Sequence, residues 1–257
     1  VRRIVYTSPH GDVWDLTPGS ADDRASLLTD GVEGGAGSWD TQALNLVGSP
    51  GRIRTGLTIN ESGGTLRVLL KAASAEDLDP LYRRWRQGWS AKQAGLLSMG
   101  GSSLGRLTAR VYLLDPMPSP GLNPQRLRAM RVEVTWVNDD GVWWTDEIRG
   151  TGQVTVTNVG DVTVKPKIRW SGSGGQVTVP SGATFTLPPT QHARILDFDN
   201  KKSYQVTDER GVLDKPLWGR LGEVVKPEVV PVLGRREYRL PPGAELVWQL
   251  GVLDPWT

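Results

Sequence analysis

Two alternating stretches dominate the hydrophobic pattern of this chain. Leu107, Ala109, Val111 and Leu113 alternate with Thr108, Arg110, Tyr112 and Leu114. Met130, Val132, Val134 and Trp136 alternate in the same way with Ala129, Arg131, Glu133 and Thr135. A period of two with one apolar face predicts strands over 106–115 and 127–138. The connection P-M-P-S-P-G-L-N-P at 116–124 lacks ladder donors at its prolines, so it reads as a stiff loop closing a long, protruding hairpin. Strands are also expected over 2–6, 52–59 and 65–72, the last two joined by N-E-S-G-G at 60–64. Residues 17–39 are rich in Asp, Ser and Gly and predict an irregular excursion with little core of its own. It is either a solvated loop or a segment ordered against a neighbouring subunit.

One helix interrupts the strands. Leu78, Leu81, Tyr82, Trp85 and Trp89 form a single apolar stripe, with Arg83, Arg84 and Arg86 on the other face. Asp79-Pro80 supplies a cap and first turn, and Ser74 offers a start one turn earlier. The stripe predicts packing on a sheet.

After Gly150 the texture changes to short strands at even spacing, expected over 153–157, 162–170, 176–180, 184–187, 194–198, 203–207, 237–240 and 245–250. Turns such as S-G-S-G-G at 171–175 and P-P-G at 241–243 separate them, and no helical pattern intervenes. That is the signature of a β-sandwich. The division expected is therefore 1–150 and 151–257, with the boundary near Gly150-Thr151-Gly152.

Composition narrows the function classes. With 30 Lys+Arg against 28 Asp+Glu, the net charge of +2 lacks the basic excess that dominates phosphate-backbone binding. No cysteine is present, which rules out disulfides and thiolate metal sites. No apolar run approaches the ~20 residues that span a bilayer, and the start turns polar too early for a signal peptide, so a chain without its own export signal and without membrane insertion is expected. Asn60-Glu61-Ser62 fits a glycosylation pattern, which carries little weight without such a signal. Aromatic burial must rest on 11 Trp, because there are only 2 Phe. Indoles favour a partner for their N–H.

Candidate chemistry is sparse. Gly101-Ser102-Ser103-Leu104-Gly105 matches a nucleophile elbow in letters, yet a strand follows where the elbow needs a helix, and His192 is the sole histidine downstream. Asp197 and Asp199 lie roughly 7 Å apart on one strand face, the spacing of paired glycosidase acids, but Lys201 and Lys202 follow directly and favour a turn-edge pair. Two histidines and no H-E-x-x-H argue against a catalytic metal, and no P-loop occurs. No cofactor is expected. Trp170, Trp218 and Trp248 are candidates for stacking on a sugar, with packing as the competing reading.

The motifs have a recognisable order: G-R-I-R-T-G-L at 51–57, a strand, one helix and a long hairpin, then N-V-G-D-V-T-V-K-P-K-I-R-W-S-G at 158–172. A-R-I-L-D-F-D at 193–199, S-Y-Q-V-T-D at 203–208 and Y-R-L-P-P-G-A-E-L-V-W at 238–248 complete it. This layout resembles the distal tail protein (Dit) family of long-tailed bacteriophages, although Glu245 stands where that family often has asparagine. The resemblance implies a mainly β fold, with a sandwich-like ring domain bearing one helix and a hairpin, then a galectin-like sandwich. It also implies a non-enzymatic virion protein at the tail tip. Such a protein forms a homo-oligomeric ring, hexameric in the family, between the tail tube protein and a tail-tip hub or fibre protein. DNA is only passing cargo, and the outer domain attaches other parts or reads a host cell-surface glycan. On this reading Arg110, Tyr112, Leu114, Met117, Leu122 and Arg131 of the hairpin are the candidate ring contacts. A carbohydrate-binding module recognising a cell-wall glycan is the alternative.

Overall fold

The chain was analysed as a computed structural model, which describes residues 2–48, 50–121 and 123–256. It divides into two compact units, one of residues 1–145 with 253–257 and the other of residues 146–252. The division falls before the expected Gly150 because residues 148–151 pair as a strand of the second unit.

The first unit contains β1 (Ile4–Thr7), β2 (Val13–Asp15), β3 (Ala25–Gly34), β4 (Trp39–Leu44), β5 (Ile53–Ile59) and β6 (Ser62–Lys71). Helix α1 (Ala75–Gln87), β7 (Gly95–Ser102), β8 (Gly105–Leu113), β9 (Ala129–Asn138) and β10 (Trp143–Thr145) follow. The strand order is β2-β1-β7-β8-β9-β6-β3, with β10 also on β8 and β4-β5 standing apart as a two-stranded ribbon. Residues 17–39 thus supply a ten-residue strand and the start of another, where an irregular excursion was expected. Polar residues hid β3, whose burial is confined to Ala25, Leu27 and Gly31.

The two arms of the expected hairpin diverge. β8 and β9 pair only at Tyr112↔Val137 and Leu113↔Trp136. Most of β8 lies on β7, and β9 runs its whole length along β6. The loop between them folds back rather than protruding, because Arg86 of α1 donates to the carbonyls of Met117 (3.1 Å) and Pro118 (2.8 Å).

Helix α1 starts at the earlier of its two possible caps: Ser74 Oγ accepts from the Asp77 amide at 3.2 Å. Pro80 therefore lies inside the helix, and its lost hydrogen bond falls on the exposed side, where water can replace it. The apolar stripe is buried at Leu78, Tyr82 and Trp85, and Trp89 just beyond the helix is buried with it. Tyr6 stacks on Trp89 at 3.8 Å between centroids, and Trp14 meets Trp85 edge-on at 5.1 Å. The indole N–H groups of Trp14, Trp85, Trp89 and Trp136 have no hydrogen-bond acceptor, unlike those of Trp143, Trp170 and Trp218. In this cluster ring-on-ring packing outweighs N–H pairing.

The second unit stacks two antiparallel sheets. One takes β11 (Ile148–Thr151), β13 (Lys167–Gly172), β16 (Thr190–Asp197), β17 (Val206–Thr207) and β19 (Ala244–Trp248) in the order β11-β19-β13-β16-β17. The other takes β12 (Gln153–Thr157), β14 (Gly175–Thr178), β15 (Thr184–Leu187) and β18 (Arg235–Arg239) in the order β12-β18-β14-β15. Ile168, Trp170, Leu196 and Leu246 from the first sheet and Val154, Val156, Val177, Phe185 and Tyr238 from the second are buried. A second helix, α2 (Lys215–Gly222), interrupts the strands where none was expected. Its signals are Asp214, which caps Leu217, Pro216 in the first turn, and Leu217 and Leu221 buried four residues apart.

One device recurs in both units. Asn138 Oδ1 accepts from the Asp140 amide (3.2 Å) and its Nδ2 donates to the Val142 carbonyl (3.1 Å). Asn158 does the same with the Gly160 amide (3.0 Å) and the Val162 carbonyl (2.9 Å), and adds the Val230 carbonyl (3.1 Å). Each asparagine thus holds a buried chain reversal that leaves few backbone groups unpaired. Asn158→Ala is expected to destabilise the second unit by about 2–3 kcal/mol, because its buried amide and carbonyl partners lose their contacts; urea unfolding measures this. Asp214 gives a pH dependence. The hydrogen bond from Arg194 (2.7 Å) chiefly holds its carboxyl below the ordinary range. A depressed carboxylate stabilises fully above its unfolded value of about 3.9 and loses that contribution as pH falls through the lower folded value. Asp214→Asn is expected to flatten the loss of stability below about pH 4, read by thermal unfolding across pH.

Candidate assembly surface

The ribbon β4-β5 is the most exposed apolar element of the first unit. Leu44 (60 % exposed), Leu46, Val47, Ile53, Leu57 (54 %) and Trp39 all face solvent. An uncovered two-stranded ribbon is marginal on its own, so its placement depends on its root. The root is tightly built. The Gly35 amide donates to the Gly63 carbonyl (2.9 Å), the Trp143 indole donates to the Gly35 carbonyl (2.7 Å), and the Asn60 amide donates to the Ser38 carbonyl (3.0 Å). A Cβ on Gly34, whose φ is +80°, would lie 2.4 Å from the Gly63 carbonyl, and one on Gly64 would lie 2.3 Å from the Glu33 carbonyl. Only glycine lets these backbones approach so closely. The segment 253–256 adds a clamp: the Gly37 amide donates to the Leu253 carbonyl, and the Arg2 guanidinium binds the carbonyls of Pro255 and Trp256.

The candidate ring contacts separate into two groups. Arg110, Tyr112 and Leu114 lie on or just beyond β8; Arg110 donates to the Tyr112 hydroxyl at 3.3 Å, and Leu114 is 53 % exposed. Met117 and Arg131 line a cleft of about 400 Å³ with Leu28, Tyr82 and Arg86. Leu122 lies outside the described residues. The exposed ribbon, which contributes more apolar surface, is not among the candidate contacts, although its second strand was expected over 52–59. Its signal was Trp39, Leu44, Leu46 and Val47 standing among turn-forming residues, just ahead of Ile53, Leu57 and Ile59.

The second unit offers no aromatic row on its sheets. Trp170 cannot be a stacking platform: it is core, and its indole donates to the Pro188 carbonyl at 3.0 Å. Its place between buried Ile168 and the Gly-rich turn turns it inward. Trp218 is partly buried and donates to the Ser203 carbonyl at 2.9 Å, and Trp248 is partly buried at the end of β19. The outer face of β11, β19 and β13 carries a chain of ion pairs instead, from Glu147 through Arg149, Glu245 and Arg169 to Glu209.

Ser103 sits at the tip of the turn between β7 and β8, where Ser102 Oγ bonds both Gly105 and Leu104; this is strand–turn–strand geometry, not an elbow. Asp199 pairs with Lys165 at 2.7 Å and Asp197 with Lys202 at 3.0 Å, so the two carboxylates are neutralised separately. Among the described residues no cluster of three His, Cys, Asp or Glu could hold a metal ion, and no helix is long and apolar enough to cross a membrane.

No protein-family profile matches the chain, and no curated protein is similar to it in sequence. Solved structures do match. The Dit protein of phage SPP1, described as a paradigm of the hub adsorption apparatus in phages infecting Gram-positive bacteria, superposes with a TM-score of 0.62. The match covers 96 % of this chain and 98 % of that one at 11 % identity. A chain of the phage P2 baseplate in its activated conformation with calcium matches at TM-score 0.59, covering 97 % and 98 %, also at 11 % identity. The same baseplate with strontium gives 0.56. Over nearly its whole length, the chain has the mainly β, two-part fold of phage distal tail and baseplate proteins.

Proposed function

We propose that this chain is a structural protein of a phage tail tip, forming a closed ring at the distal end of the tail tube. The observation that carries this reading is the apolar ribbon β4-β5, held out on a glycine-packed root within a chain of Dit-like fold. An exposed apolar surface on a rigid mount suits a permanent protein contact better than a mobile loop does. A ring needs two different surfaces on each copy, so that each contact leaves one of them free for the next copy. The ribbon supplies one side of such a contact. The Arg110–Leu114 row and the Met117–Arg131 cleft are further candidate contacts on the same unit. In this reading the first unit surrounds a channel through which DNA passes. The ring joins the tube protein to a hub or fibre protein, and the sandwich unit serves for attachment. Its galectin-like resemblance leaves a host glycan as an additional ligand, but burial of Trp170 removes the best platform for one.

Light scattering over a concentration series, with electron microscopy of the same samples, tests the proposal. Closed rings of uniform subunit number are expected, and a chain that stays monomeric at the highest concentrations rejects it. Leu44→Ser/Ile53→Ser should leave the circular dichroism spectrum unchanged, since both side chains are exposed. The same variant should weaken self-association by at least tenfold, the effect of removing more than about 1.4 kcal/mol of contact. Leu114→Glu should weaken it less.

A further inference from the structure

One loop of the second unit carries apolar side chains that its own fold does not use. Leu233 is 87 % exposed, and Val229 and Val232 of the same loop are exposed with it, as is Val159 next to Asn158. Single exposed apolar residues are ordinary; the conformation of this one is not. The Gly234 amide donates to the Pro231 carbonyl at 2.9 Å, which makes Leu233 the third residue of a tight turn. Its φ is +58°, the left-handed region that this position of a type II turn reserves for glycine or asparagine. A leucine there is strained, and such strain collects at sites of recognition. The other described non-glycine residues with positive φ, Ser203 and Tyr204, are held by the chain itself. Trp218 donates to the Ser203 carbonyl, and the Tyr204 amide donates to the Asp199 carbonyl. Among the described residues no hydrogen bond reaches Leu233.

The mount of this turn is rigid. The Asn158 amide donates to the Gly234 carbonyl (2.9 Å), and its side chain donates to the Val230 carbonyl (3.1 Å). Val230 and Val164 exchange two backbone hydrogen bonds of 2.9 Å, and the Tyr238 hydroxyl holds the Glu228 carbonyl at 2.7 Å. Leu233 is thus presented in one place, strained and bare.

Charge flanks it. Arg235 and Arg236 follow directly and, as neighbours on β18, project from opposite faces of the strand. Both are exposed, and among the described residues neither has an ion pair. The carboxylates close to them in the chain are engaged: Glu237 with Arg239, and Glu228 with the Ser181 amide at 3.0 Å. A guanidinium without a counter-charge therefore stands on each side of the turn. A surface complementary to both the leucine and its collar is apolar at the centre and acidic at the rim. A fluid bilayer gains nothing from a side chain fixed in one direction. A preformed protein socket does, because the ordering is complete before binding.

We infer that the turn 231–234 is a docking knob for a different protein. An apolar socket of that protein takes Leu233, and carboxylates on its rim meet Arg235 and Arg236. The inference rests on the reading of the second unit as an attachment module, and specifies where it attaches and to what chemistry.

Two measurements test it. In the purified chain, Leu233→Gly removes only strain, so the melting temperature should stay the same or rise by roughly 2–4 °C. A lower melting temperature would mean that the leucine supports its own fold, and would overturn the inference. In the second measurement, p-benzoylphenylalanine replaces Leu233, and isolated phage tails are irradiated and their cross-linked peptides sequenced by mass spectrometry. Links to one other tail protein, at a peptide with Asp or Glu beside the link, are expected. Arg235→Glu/Arg236→Glu should cut their yield at least tenfold, while Arg235→Lys/Arg236→Lys should keep most of it. The same probe at Val212, exposed but outside this loop, should give less than a tenth of the yield. Equal yields at the two positions, or links to lipid or to a second copy of this chain, would reject the knob. Tails that contain the chain but form no link at 233 would reject it too, and leave the tail-tip reading standing. Tails from which the chain is absent would remove both.

Discussion

The first unit depends on a close approach of backbones at the root of its exposed ribbon. Gly34 and Gly64 run against the Gly63 and Glu33 carbonyls at distances that no side chain would permit, and the indole of Trp143 holds the Gly35 carbonyl at 2.7 Å. Trp136 meets Trp143 edge-on at 6.1 Å and covers the same contact. The strand pair β3-β6, the departure of β4 and the arrival of β10 all converge there. An isolated two-stranded ribbon would be marginal in water; this one has a direction because its root is part of a core. Glycine is thus used here for proximity more than for flexibility.

The two units solve the same local problem in the same way. In each, a buried asparagine closes a reversal by binding an amide two residues ahead and a carbonyl four residues ahead. Their larger architectures differ. The first unit gathers its aromatic side chains around α1 and tolerates several indoles without acceptors, whereas the second is a two-sheet sandwich whose deepest indole, Trp170, is hydrogen-bonded. Exposed apolar side chains gather on the first unit's ribbon and, in the second unit, at Val229, Val232 and Leu233, while the second unit's outer sheet face is laced with paired charges.

At 11 % identity to structures of the same fold, little of this similarity resides in particular residues. Element order, spacing and the placement of turns carry it. Ser103 sits on a hairpin turn, and the Asp197 and Asp199 carboxylates are each bound to a lysine.

Alternation by itself located most strands of the second unit, because each is half buried and the core imposes a period of two on it. Residues 153–157 and 184–187 fall as expected, whereas 162–166 hold only an isolated bridge at Val164, 203–205 are a turn, and the strand 148–151 was not expected. The apolar stripe from Leu78 to Trp89 located α1 for the same reason, although not which of two caps begins it. Alternation could not determine pairing. β8 and β9 look like partners because they are neighbours with matching patterns, yet each found a longer partner elsewhere in the sheet. Nor could it reveal β4 or its pairing with the strand expected over 52–59, since the ribbon's apolar side chains are uncovered and follow no buried face, or α2, too short to show a stripe. Trp170 shows the same limit: an indole beside a turn reads alike whether it faces solvent or core. Local pattern records which positions are buried, and tertiary structure decides against what. That decision depends on contacts between residues far apart in the chain, such as Trp143 and Gly35.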